Sequence, residues 1–358
     1  MKTWDAIIVG GGIIGLTLAI ELRKRGAKVL VVERGEPGRE ASHAAAGMLA
    51  DCTIETPAIL QPLATASARM YPEFVHELQD ESGIDADLRD AGTLLFPPPE
   101  HVHDRPGFTT ESLLPAPLSE MEPALADTNR PALFLKERSV DPRALTAAAL
   151  KTAKHRDVDI SSGNAVTSVL LSDGQVTGIS TDKTSYAAPA VVNCAGAWAG
   201  DILPLRFPTR PVKGQMLSIA VGPHNVLRHV IRAPEVYLVP RSNGRVMVGA
   251  TVEDAGFDRR TVPETIHRLH QAAVRLVPVL SEGRILEDWA GLRPGTPDDL
   301  PILGSTPIPG YFVATGHFRD GILLAPVTAR VMAQVITGVT PEHEIAAFGM
   351  ERFEKQAA

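Results

Sequence analysis

Residues 5–33 constrain the fold more than any other part of the chain. Ala6-Ile7-Ile8-Val9 is a short apolar run of the kind that forms a buried parallel strand. It runs into Gly10-Gly11-Gly12-Ile13-Ile14-Gly15, a G-x-G-x-x-G pattern, and then into a helical stretch that reaches Arg25 before Gly26 stops it. Lys28-Val29-Leu30-Val31-Val32 supplies a second strand that ends on Glu33. Each part has a physical role. Gly10 permits a tight turn, Gly12 lets the backbone approach a pyrophosphate, and Gly15 lets helix and strand pack closely. The helix start offers unpaired N–H groups to phosphates, and Glu33 can accept hydrogen bonds from ribose hydroxyls. Strand, turn, helix and terminal acid together define a dinucleotide-binding βαβ unit. They do not separate FAD from NAD.

With 358 residues the chain can form two domains, and 44% hydrophobic with 22% charged residues is ordinary for a soluble globular protein. There are 35 basic against 42 acidic residues, a net charge of −7, which argues against a nucleic-acid partner. Cys52 and Cys194 lie far apart without metal-ligand spacing, so neither a disulfide framework nor a metal site is expected. No apolar run is long enough for a membrane span, and the fingerprint glycines interrupt the apolar N-terminal stretch, which excludes a signal peptide. The expected location is the cytoplasm. No coiled coil or apolar patch demands an oligomer, so a homo-oligomer stays open.

The nucleotide signals fall in three pieces. The second opens at Asp141-Pro142, a helix start with aspartate as cap and proline in the first position, and its helix should run to about Lys154. Two β-patterns follow, Ala165–Leu170 and Val176–Ser180, and the Asp173-Gly174 turn beyond the first makes them a hairpin. The piece closes with the apolar run Ala190–Asn193 leading into Cys194-Ala195-Gly196-Ala197-Trp198. Between the pieces, the alternation in 236–240 and 245–249 suits an antiparallel sheet with one covered face, and Thr261–Val277 has helical spacing. The expected architecture is α/β. Residues 1–48, 141–205 and 288–358 form a discontinuous nucleotide domain, and 49–140 and 206–287 form an inserted, mainly antiparallel substrate domain.

The C-terminal piece selects the cofactor. A strand at Tyr311–Ala314 leads through Thr315–Gly321 into a helix that ends near Ile336, with Gly338 as its cap. Pro326 is expected in the first turn, where a missing N–H costs little. A helix start near Gly321 suits an anion such as a reduced flavin, whereas nicotinamide enzymes do not need this element. FAD is the cofactor expected.

The opening fingerprint, Ser42-His43-Ala44-Ala45-Ala46-Gly47-Met48-Leu49, Leu118–Pro123, Ala290-Gly291-Leu292-Arg293-Pro294-Gly295-Thr296 and Gly316-His317-Phe318-Arg319-Asp320-Gly321 occur in that order. With these motifs the chain resembles the D-amino-acid-oxidase family of FAD enzymes, and in particular its glycine oxidases linked to thiamine biosynthesis. The resemblance covers nearly the whole chain. It implies a glutathione-reductase-type FAD domain, non-covalent FAD, a small amino-acid or amine substrate, and oxygen as electron acceptor.

The resemblance also implies residue roles. Gly10, Gly12, Ile13, Ile14 and Gly15 would hold the diphosphate, and Glu33 and Arg34 the ribose and adenine. Ala41, Ser42, Ala45, Ala46, Gly47 and Met48 would lie along the flavin, where small side chains permit close approach. Val166 would touch the adenine side through its backbone, with Ala195 and Gly196 also at the cofactor. His317, Phe318, Arg319, Asp320, Gly321, Ile322 and Leu323 would wrap the pyrimidine edge of the flavin. Arg293, Tyr237 and Arg319 match substrate-binding positions, with Arg293 clamping a carboxylate through a two-point contact that lysine cannot copy. Hydride would then pass from the substrate Cα to the flavin, giving an imine that hydrolyses to glyoxylate or a keto acid plus ammonia, while oxygen becomes hydrogen peroxide.

Other readings of these residues remain open. Arg293 could be a surface arginine in a Pro-Gly loop, Arg319 could pair with Asp320 and face solvent, and Tyr237 could be a core tyrosine. His317 is read as structural or as a hydrogen-bond donor to flavin. Glu235 stands where related glycine oxidases tend to have histidine. Facing the pocket, it would repel acidic substrates; facing solvent, it has no role. The proline-rich segment 97–117 is expected to lack regular structure and to shape a lid. A D-amino-acid dehydrogenase, a sarcosine-type oxidase and a non-enzymatic flavoprotein are the alternatives for the whole chain.

Overall fold

The structure, a computed structural model, describes residues 3–51, 56–96, 114, 116–126, 130–222 and 226–354. Cys52 and nearly all of the proline-rich segment therefore lie outside the described residues.

A six-stranded sheet carries the dinucleotide turn. Its order is Ile302–Ser305, Tyr311–Thr315, Ala190–Asn193, Ala6–Val9, Val29–Glu33 and Asp159–Ser162, with every pair parallel except the first. The central strands are apolar throughout because both faces are covered. Ala6, Ile8, Val29 and Val31 join a core built with four helices, Ile13–Lys24, Gln61–Ser82, Pro142–His155 and Gly321–Ile336. Ile7, Val9, Leu30 and Val32 join a second core on the opposite face, against a three-stranded antiparallel sheet of Val166–Ser172, Gln175–Thr181 and Ser185–Ala187. Asp173 and Gly174 both take positive φ, 50° and 77°, in the turn of its first hairpin.

The other layer is a seven-stranded sheet. Its order is Arg284–Gly295, Arg210–Ala220, Arg245–Gly249, Tyr237–Pro240, Val230–Arg232, Thr93–Leu95 and Leu133–Leu135, antiparallel except between Val230–Arg232 and Thr93–Leu95. One face packs against the Pro263–Leu276 helix through Leu217, Leu238, Val246, Val248, Ile266 and Leu269. The alternate residues, Met216, Tyr237, Val239 and Met247, gather with Ala46 on the face turned toward the parallel layer.

Several local expectations hold. Asp141 caps its helix, its side chain accepting from Arg143 N–H and Ala144 N–H, and Gly338 stands at φ 72° just past Ile336. Two differ. Residues 61–82, expected within the substrate domain, form a helix that packs in the core of the parallel layer. Leu63, Ala64, Ala68, Tyr71, Val75 and Leu78 repeat at helical spacing and are buried there. Pro326 lies in the second turn of its helix, not the first, because that helix begins at Gly321. The carbonyl that it deprives of a donor finds another partner: Ile322 C=O accepts from the Tyr71 hydroxyl.

Candidate active site

A cavity of about 940 Å³ runs between the two layers. Its floor at one end is the glycine turn. Gly10 sits at φ 108°, and a Cβ there would fall 2.5 Å from Cys194 O, so only glycine fits. Gly15 does not reach the cavity. A Cβ on it would come 2.0 Å from Gly10 O, which makes it a packing glycine. Gly12, Ile13 and Ile14 line the wall. The Glu33 carboxylate accepts from Gly11 N–H at 2.8 Å and Gly35 N–H at 2.9 Å, which fixes its oxygens at the cavity edge.

The Ala41–Met48 stretch forms the next part of the wall. Ala41, Ser42, Ala45, Ala46, Gly47 and Met48 all line it. Ser42 also does something that its sequence position did not reveal. Its Oγ accepts from Ile13 N–H at 3.0 Å, so it caps the dinucleotide helix from 29 residues away. Gly47 takes φ 78°, and a Cβ there would overlap Val140 O. Val166, at the start of the three-stranded sheet, lines the cavity with Ala195, Gly196, His317, Phe318, Arg319, Asp320, Gly321 and Ile322 of the parallel layer. Leu323, expected with them, is not a lining residue: its side chain is buried in the core behind Ile322. The Cys194 thiol lines the wall, but burial pushes its pKa well above the usual range and keeps it protonated.

Arg293, Tyr237 and Arg319 converge at the other end. Tyr237 and Gly249 are cross-strand partners, and the tyrosine ring lies over that glycine, where a Cβ would be 2.6 Å from its hydroxyl. The Arg293 guanidinium lies over Gly214 in the same way, with a Cβ there 2.3 Å from Nη1, and donates to Thr251 O at 3.1 Å. Two glycines inside strands thus make room for two polar side chains. A glycine within a strand pattern is the signal that could have flagged them. Burial lowers the Arg293 pKa and Arg319 lowers it further, while Tyr237 opposes both. Burial also raises the pKa of Tyr237, against the pull of Arg293 and Arg319, so its hydroxyl stays protonated and able to donate. That hydroxyl now meets Met216 Sδ at 3.6 Å, a weak partner that a carboxylate would displace.

Arg319 stacks its guanidinium on Phe318, 5.1 Å from the ring centre, at the exposed side of the cavity. His317 is 3% exposed beside Thr328 Oγ1 at 3.1 Å, and burial pulls its pKa down to about 3. It is neutral at physiological pH and suited to hydrogen bonding rather than proton exchange. Glu235 is exposed at the rim and pairs with Arg130 at 3.5 Å. A further arginine escaped the sequence reading. Arg232 lines the cavity beside Tyr237, its cross-strand partner, and is ion-paired with buried Glu137 at 3.4 Å.

At the glycine-turn end the rim is closed by both layers. The Arg34 guanidinium lies 3.5 Å from the centre of the Trp198 ring, which stacks with Phe257 at 5.1 Å. Glu40 accepts from Arg34 at 2.7 Å and from Arg259 at 2.9 and 3.0 Å.

This constellation is that of a flavin-dependent oxidoreductase, and comparison with known proteins agrees. The family model for DAO, FAD dependent oxidoreductase, matches residues 5–335, and the chain belongs to that family. It is 37% identical over 369 residues to a bifunctional protein ThiO/ThiG of Trichormus variabilis, covering 99% of this chain and 56% of the relative, so it spans about half of that protein's length. With a glycine oxidase of Bacillus licheniformis it shares 35% identity over 99% of this chain and 98% of the relative. The crystal structure of glycine oxidase from Geobacillus kaustophilus superposes with a TM-score of 0.90 at 31% identity, over 98% of this chain and 99% of that one. Among the described residues no group of three or more metal-ligating side chains occurs, and no helix is long and apolar enough to cross a membrane.

Proposed function

We propose that this chain oxidises glycine, or another small amino acid or amine such as sarcosine or D-alanine, with the parallel layer holding FAD and the antiparallel layer holding the substrate. One observation carries this reading. Arg293 and Tyr237 present a guanidinium and a phenol to the same cavity that begins at the dinucleotide turn. The turn, Glu33, the Ala41–Met48 stretch and the residues from His317 fit FAD, because they line one continuous wall of the cavity, with glycines at 10 and 47 where a Cβ would meet backbone atoms. When bound, FAD supplies the two-electron acceptor that reacts with oxygen.

The residues then have defined tasks. Arg293 receives the carboxylate, and Tyr237 donates its hydroxyl to it. Arg319, at the open side, adds positive charge that draws an anion in. Among the described lining residues none needs to act as a base, since an amine that enters deprotonated can lose hydride from Cα directly. Positioning and electrostatics then account for most of the rate. Glycine would lose two electrons and two protons to give the imine, and water would convert that to glyoxylate and ammonia. Oxygen would take up the electrons and protons as hydrogen peroxide. Glu235 lies at the cavity rim, paired with Arg130, and is given no role in this selection.

The test is anaerobic mixing with glycine, sarcosine and D-alanine while the flavin absorbance is followed. Bleaching by glycine, reversed by air with formation of peroxide, is the expected result. A flavoprotein bleached by none of the three would sink the substrate assignment. Bleaching that air does not reverse would identify a dehydrogenase instead.

A further inference from the structure

The Gly321–Ile336 helix starts at the cavity wall, where Gly321 and Ile322 are lining residues. Pro326 has no N–H, so Ile322 C=O lacks the donor that a regular helix would provide four residues on. Two hydroxyls from the Gln61–Ser82 helix enter this gap. The Tyr71 hydroxyl donates to Ile322 O. Ser67 Oγ donates to Leu323 O at 2.6 Å and accepts from Val327 N–H at 3.4 Å. Both side chains are fully buried, and their four-residue spacing puts them on one face of their helix.

We propose that Tyr71 and Ser67 are positioning residues that set the electron affinity of the bound flavin through the start of this helix. The proposal rests on the FAD seat and is independent of which amine is oxidised. Ile322 C=O and Leu323 N–H belong to one peptide unit. A hydrogen bond donated to that carbonyl polarises the unit and strengthens its N–H as a donor. Leu323 N–H is among the first N–H groups of the helix, which have no partner within it. Tyr71 therefore acts, one peptide removed, on a donor in the first turn of a helix whose first two residues line the cavity. Ser67 acts on the next unit, whose N–H, that of Leu324, donates to Asp320 O at 2.8 Å and closes the first turn. An extra electron pair on flavin is stabilised by strong donors at a helix start, so weakening them lowers the affinity for electrons. If the hydroxyls only satisfied the carbonyls beside Pro326, their loss would reduce stability and leave the flavin unchanged.

The discriminating experiment uses the FAD-loaded protein with Tyr71→Phe, Ser67→Ala and the double variant Tyr71→Phe/Pro326→Ala. Sulfite, which adds to electron-poor flavins, is titrated by absorbance alongside measurement of the flavin reduction potential and the melting temperature. Tyr71→Phe is expected to retain FAD but bind sulfite about two-fold more weakly, since polarisation through one peptide passes on only a fraction of a hydrogen bond's worth. That corresponds to a potential lowered by about 9 mV for a two-electron couple. Ser67→Ala should shift both readouts the same way by a smaller amount. Pro326→Ala, which returns an N–H to Ile322 O, should recover part of the loss. Unchanged sulfite affinity and potential in Tyr71→Phe would overturn the proposal whatever the melting temperature does. Should that variant fail to fold, an unshifted Ser67→Ala would overturn it equally. A wild-type chain that takes up no FAD would remove the cofactor seat itself.

Discussion

The two ends of the cavity are built from different material. The dinucleotide end is mostly backbone: the 10–15 turn, Gly47, and N–H groups fixed by Glu33 and Ser42. The other end is made of long side chains: Arg293 and Tyr237 lie over glycines of the seven-stranded sheet, and Arg319 stacks on Phe318. A backbone site is set by local chain geometry and tolerates little change at its glycines. A side-chain site is set by strand register and can be altered while the cofactor end stays whole.

The contrast can be broken most directly at Gly10. Gly10→Ala places a Cβ against Cys194 O at a φ that alanine resists, so FAD retention should fall by two orders of magnitude or more, or folding should fail. Fluorescence titration with FAD and a melting curve would measure both; normal retention would show that the turn is more pliable than its geometry implies. Arg293→Lys should instead leave FAD bound and reduce kcat/KM about 100- to 1000-fold, because one paired contact to a carboxylate is lost. An unchanged kcat/KM would remove the carboxylate clamp.

Gly249→Ala sharpens the comparison, since the atoms nearest its Cβ belong to the end of the Tyr237 ring. It should raise KM about ten-fold by displacing that hydroxyl and leave the flavin spectrum intact. The smallest effect near neutral pH concerns His317. Its folded pKa of about 3 lies below the ordinary value of 6.5, so below pH 6.5 the unfolded chain binds a proton that the folded chain refuses. Stability is therefore complete above pH 6.5 and declines as pH falls toward 3, by about 1.4 kcal/mol for each unit fully within that window. Urea denaturation midpoints at pH 7, 6 and 5 would show it, and His317→Gln should flatten the trend.

What was legible in the sequence follows the same division. The βαβ unit, the Asp141 cap and the Asp173-Gly174 hairpin depend on neighbours within a few residues, and they could be read directly. Ser42 as a cap for Ile13 and Arg232 as the neighbour of Tyr237 depend on tertiary placement and on strand pairing. Pro326 sits one turn later than proline's usual place, which assumes that nothing outside the helix repairs its missing bond. Tyr71 does so from 251 residues away. The segment 49–140 is expected in the substrate domain only from its place between motifs, whereas the apolar spacing of residues 61–82 leads their helix into the parallel layer.

The alternation of the first strand has a consequence for how this gene can vary. Ile7 and Val9 fill one core while Ala6 and Ile8 fill another, and the strand ends at the glycine turn. A one-residue insertion or deletion within 6–9 would exchange the two sets between cores shaped for different volumes, and would carry Gly10 off its site beside Cys194. The strand thus works as a ruler whose marks are methyl groups. Length changes across descendants should be purged here and should accumulate in surface connections.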